Sequence, residues 1–122
     1  MNKKERDEGN SLIAEFMGGK LIPYSHILKY WMWTEGYNPN YEVKYMENHL
    51  RYHESFDWSM EVLKRIEGFK YSSSIVYSQE TNSHRVCFPD VGVEVIMKVK
   101  IEALWWALID FIKWYNKNKP IL

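Results

Sequence analysis

The stretch Lys100-Ile-Glu-Ala-Leu-Trp-Trp-Ala-Leu-Ile-Asp-Phe-Ile-Lys-Trp-Tyr-Asn116 decides the fold. Apolar residues recur at helical spacing, at Ile101, Leu104, Trp105, Leu108, Phe111, Ile112 and Tyr115. A stripe of that period predicts a long amphipathic helix lying on a core. Trp106 falls about 100° from Trp105 around the helix, so the two rings cannot both face the centre of one stripe. Trp106 is therefore read as a flanking aromatic and a candidate interface residue.

Working back from this helix, strand-like segments come first. Tyr71–Tyr77 alternates, Gln79–Ser83 is a polar connection, Arg85–Phe88 returns, and Val91–Met97 alternates again. That pattern predicts a hairpin or meander, with Pro89 stopping the ladder or sitting at an edge. Upstream, a second helix is expected from Ser55 or Asp57 to Gly68. Phe56, Met60 and Leu63 form its stripe, Val62 and Ile66 lie beside it, and Asp57 suits the positive end of the helix dipole. Residues 20–50 carry weaker signals. Ile27–Thr34 is strand-compatible with Trp31 and Trp33 on one side, Gly36–Asn40 is turn chemistry, and Tyr41–Met46 alternates. A first helix is placed from Asn10 or Ser11, with Leu12, Ile13, Phe16 and Met17 on one face and Gly18-Gly19 as its stop. Residues 1–9 read as a frayed polar lead-in. The sum is a single α+β domain over residues 1–122. It is a small antiparallel sheet of about three to five strands packed by two or three helices in two layers.

Bulk properties narrow the function classes. At 122 residues the chain can bury a core without staples. Sixteen basic residues balance sixteen acidic ones, so no global field exists to hold duplex nucleic acid, and none is expected as partner. No apolar run is long enough for a membrane span or signal peptide. The single Cys87 cannot form an internal disulfide, which suits a reducing compartment, and the expected location is cytoplasmic. Aromatic residues make up 16% of the chain, more than a core of this size needs, so some are assigned to a surface site.

Three blocks carry a resemblance: Leu12-Ile-Ala-Glu-Phe-Met-Gly-Gly19, Leu50-Arg-Tyr-His-Glu-Ser-Phe-Asp-Trp-Ser-Met60, and Lys100 to Asn116. Their order and spacing resemble a family of small uncharacterised tailed-phage and prophage proteins. Those proteins carry LIAEFMG, YHxSWDW and KIEAxxxAxxxFIKWYN blocks. This chain departs from the pattern at Phe56, where the family has Trp, at Glu61, where it has Pro, and at the Trp105-Trp106 pair. The resemblance implies a small accessory protein acting in the cytoplasm of a bacterial host cell.

Candidate chemistry centres on Arg51–Trp58. Trp58 with Trp31 or Trp33 can stack a planar base or sugar, while Arg51 and His53 meet an anion and Asp57 belongs to the same ligand-binding set. His49, His53 and Asp57 would share one face of a continuous helix, a spacing suited to a divalent metal, but no metal motif accompanies them. No metal site or cofactor is assigned. Cys87, flanked by Val86 and Phe88, reads as a small hydrophobe, and Ser72–Ser74 lacks a nucleophile-elbow context. With no catalytic motif, the leading expectation is a non-enzymatic protein binding a small molecule, one version being a nucleotide-like immune signal. The alternatives are a protein–protein interaction module, as a homodimer or an inhibitor of a host protein, and a small metal-assisted hydrolase.

Overall fold

The computed structural model describes residues 1–23, 29–33, 43–46 (backbone) and 49–119. The fold is α+β. The expected strands are divided between two three-stranded antiparallel sheets. The chain forms two compact units, Met1–Arg51 and Tyr52–Leu122.

In the first unit, α1 spans Lys3–Phe16 and begins seven residues before the expected start. Its cap is Asn2, whose Oδ1 accepts from the Glu5 N–H at 2.8 Å. The segment read as a frayed lead-in is helical because Lys, Glu and Arg are good helix formers that need no buried face. Asn10, expected as a cap, is instead buried inside the helix, and its Nδ2 donates to the Leu50 carbonyl at 3.2 Å. The Gly18-Gly19 stop holds. Gly18 is left-handed at φ 91°, and the N–H groups of Gly18 and Gly19 donate to Glu15 and Ala14. These two bonds complete a Schellman motif.

Strands β1 (Lys20–Pro23), β2 (Lys29–Trp33) and β3 (Val43–Met46) follow, in that order across the sheet. Leu21 pairs with Trp31, and Trp31 with Tyr45. Strand β1 was not anticipated. The expected turn at Gly36–Asn40 lies outside the described residues, as does Tyr41.

In the second unit, α2 spans Phe56–Gly68, as its sequence suggests. Ser55 is the cap, with its Oγ accepting from the Trp58 N–H at 3.4 Å. The buried face is Ser59, Val62, Leu63 and Ile66, while Phe56 and Met60 are exposed. The expected stripe is thus rotated. Ser59 is admitted to the interior because its Oγ donates to the Tyr52 carbonyl at 2.7 Å.

Strands β4 (Ser74–Ser78), β5 (Ser83–Phe88) and β6 (Val93–Met97) form the second sheet, β5 in the centre. A 3₁₀ turn at Pro89–Val91 joins β5 to β6. Tyr71 precedes the sheet and packs edge-on against Phe111 and Trp114. Helix α3, Lys100–Asn118, lies on β5 and β6 and also contacts α2. Ala103, Leu104, Trp105, Ala107, Leu108, Phe111 and Ile112 are fully buried, and Phe88 meets Phe111 at 5.0 Å. Fully burying each of the larger of these side chains, the two alanines aside, stabilises by about 1.5–3 kcal/mol, so this stripe is the main cohesive element of the unit. Among the described residues no helix is long and apolar enough to cross a membrane.

Candidate ligand groove

Trp31 and Trp33 share a face of β2, with ring centroids 6.4 Å apart. Their roles differ. Trp33 donates its indole N–H to the Met17 carbonyl at 3.2 Å, which ties the sheet to the open end of α1. Its ring lies where a side chain on Gly19 would stand, since a Cβ there would come within 2.8 Å of two ring carbons. Trp33 is therefore a packing residue. Trp31 is 4% exposed, and its indole N–H is buried with no hydrogen-bond partner among the described residues. An unpaired buried donor costs about 1–3 kcal/mol.

Trp31 belongs to the lining of a groove of about 750 Å³ within the first unit. The other described lining residues are Asp7, Glu8, Ser11, Leu12 and Glu15 on α1, and Gly19, Lys20 and Leu21 at the start of the sheet. Asp7, Ser11 and Glu15 stand at i, i+4 and i+8, so the helix presents them along one face. Leu21 pairs directly with Trp31 across the strands and adds to the apolar part of the lining. Three carboxylates meet one ammonium. Asp7 is engaged at 3.5 Å by Arg6, which lies outside the lining, while Glu8 and Glu15 are exposed with no ion-pair partner among the described residues. The groove is thus negative, with an apolar component.

The expected site residues fall in both units. Trp31, Trp33 and Arg51 belong to the first; His53, Asp57 and Trp58 belong to the second. Arg51 is exposed. His53 is half-buried, with Nε2 3.7 Å from Glu54. Asp57 is exposed in the first turn of α2, where the dipole reading places it. Trp58 is half-buried and meets Tyr52 edge-to-face at 5.0 Å.

The continuous helix needed to align His49, His53 and Asp57 does not form, because α2 begins at Phe56. Among the described residues no group of three or more His, Cys, Asp or Glu side chains is placed to hold a metal ion. Cys87 is a buried thiol, and Trp106 is half-buried with its ring edge-on to Trp105 at 4.7 Å.

The groove's acidic wall escaped the sequence reading because Asp7 and Glu8 lay in the segment taken as frayed. The available signal was the i, i+4, i+8 polar row running into the Leu12–Phe16 apolar block. Comparison with protein-family models, with curated proteins and with solved structures finds no match.

Proposed function

We propose that this chain is a non-enzymatic small-molecule-binding protein whose ligand occupies the groove between α1 and β1–β2. The observation that carries the reading is the groove itself. It combines a volume in the range of small-ligand sites with an apolar part at Leu12, Leu21 and Trp31 and a row of carboxylates. The sign of the charge selects the ligand class. Asp7, Glu8 and Glu15 repel phosphate, so a nucleotide-like ligand is disfavoured here and an organic cation is favoured.

Magnitudes refine this. An exposed ion pair contributes at most about 1 kcal/mol, so two such pairs alone give only a dissociation constant of tens of millimolar or weaker. Useful affinity requires apolar contact as well, which points to a cation with an apolar body. The resemblance to tailed-phage proteins supports an accessory role in a bacterial cytoplasm.

Thermal denaturation against a panel of amines (tryptamine, benzylamine, spermidine) and of linear and cyclic nucleotides tests the reading. An amine with an apolar body should raise the melting temperature, and the nucleotides should leave it unchanged. A ligand at one hundred times its dissociation constant adds about 2.7 kcal/mol, a shift well above error. No response to any amine, or stabilisation by nucleotides alone, would overturn the proposal.

A further inference from the structure

The strand that ends the second sheet has a sequence symmetry that its fold leaves unused. It reads Val93-Glu94-Val95-Ile96-Met97-Lys98-Val99. Folded back on itself about Ile96, the segment is self-complementary: Val93 meets Val99, Glu94 meets Lys98, and Val95 meets Met97. Strand β6 pairs with β5 on one side and stands at the edge of the sheet among the described residues. Among the described residues no strand pairs with its other side, whose N–H and C=O groups an extended chain can satisfy. Edges of this kind are ordinarily blunted by charge or proline, yet four of the five β6 residues are apolar and Ile96 is 57% exposed.

We propose that β6 is a dimerisation edge, pairing antiparallel with β6 of a second copy in the register centred on Ile96. The two sheets then become one of six strands. Two exposed Ile96 side chains meet at the two-fold axis. Each Glu94 stands directly opposite a Lys98 of the other copy, twice by symmetry. Opposite charges at directly opposed positions stabilise a strand pair, and like charges destabilise it.

The side chains are free to do this. Glu94 is bound at one carboxylate oxygen by Arg85, at 3.0 Å, and remains 46% exposed. Lys98 is exposed one residue beyond the strand, where the chain bends at Lys98 and Val99 into α3; Val99, 49% exposed, has φ −100° and ψ 121°, so pairing through Lys98 extends the strand by straightening this bend. A peptide of another sequence would pair with the same backbone edge, but only a second copy supplies the mirrored Val-Glu…Lys-Val order. The proposal is independent of the ligand groove, which lies in the other unit.

The test uses charge reversal read by sedimentation. Wild-type chain should show a reversible dimer at micromolar concentration. Glu94→Lys and Lys98→Glu should each weaken it by about tenfold or more, because every pair becomes a like pair. Mixing the two variants should restore dimer as a heterodimer, since the all-basic edge then faces the all-acidic one. Circular dichroism checks that each variant remains folded.

A second probe does not depend on charge. Ile96→Cys in a Cys87→Ser background should give a disulfide-linked dimer on mild oxidation, because directly opposed strand residues lie within disulfide reach. A wild-type chain that stays monomeric at roughly 100 μM, about a hundredfold above the micromolar constant expected, overturns the proposal. So does a dimer indifferent to both reversals, or one whose variants fail to recombine.

Discussion

Gly19→Ala is the sharpest perturbation of the first unit. The added methyl would stand 2.8 Å from two carbons of the Trp33 ring and 3.0 Å from the Ala14 carbonyl oxygen. One neighbour is a large ring and the other is backbone, so neither yields cheaply. Overpacking of this kind costs about 1–3 kcal/mol. Displacing the ring also stretches the Trp33–Met17 hydrogen bond, worth about 1 kcal/mol. The expected loss is about 2–4 kcal/mol, measured by urea denaturation at constant slope. Trp33→Phe removes the indole N–H and much of the obstructing ring. On that background Gly19→Ala should cost less than about 1 kcal/mol, a coupling expected only of residues in contact. Gly68→Ala is the control. Nothing lies within 4 Å of its Cβ, and the helix should gain a few tenths of a kcal/mol. A Gly19→Ala loss below about 0.5 kcal/mol, or strict additivity with Trp33→Phe, would refute the packing argument.

Asn2→Ala should lower stability by about 1 kcal/mol and fray the first turn of α1, seen as faster amide exchange at Glu5; no change would return the helix start to Asn10. Trp105→Ala should cost about 3–5 kcal/mol, and Trp106→Ala about 1–2 because it is only half-buried; equal losses in chemical denaturation would contradict the division between stripe and flank. Asp110 is exposed at its surface but partly desolvated by the helix around it, which raises its carboxyl above the ordinary 3.8, with Lys113 opposing. Its protonated form is therefore the better tolerated in the fold, so its contribution is full below 3.8 and is lost as pH rises through the raised value. Asp110→Asn should gain stability over the wild type as pH climbs from 3 towards 7 and show no gain at the acid end; a gain confined to low pH reverses the sign and sinks the assignment.

Legibility in the sequence followed the density of apolar marks. Helix α3 reads directly because its stripe, Ile101 to Tyr115, recurs over about four turns. Helix α2 reads because Ser55 caps a clear run, though its buried face is turned by Ser59, whose admission depends on a carbonyl seven residues upstream. The first turns of α1 bear only charge, so periodicity is silent there, and their helicity rests on propensity and on Asn2. The Trp31–Trp33 face was legible from alternation in β2. That Trp33 serves packing and Trp31 lines a groove was not, since both depend on where Gly19 and the Met17 carbonyl come to rest. In the Arg51–Trp58 cluster, dense in sequence, the cap at Ser55 was legible, while the Tyr52–Trp58 edge contact depends on where α2 begins.

The proposed occupant of the groove is an organic cation. Heteronuclear NMR of the labelled chain during titration with tryptamine tests it most directly, with the Trp31 indole resonance assigned through Trp31→Phe. The Trp31 indole N–H and the amides of Asp7, Glu8, Ser11 and Glu15 should shift together and saturably. The Trp105 indole, buried in the other unit, should stay in place. Glu8→Gln with Glu15→Gln should weaken the binding by about tenfold, the worth of two exposed ion pairs. Shifts confined to other residues, or an affinity that the double substitution leaves unchanged, would contradict the account.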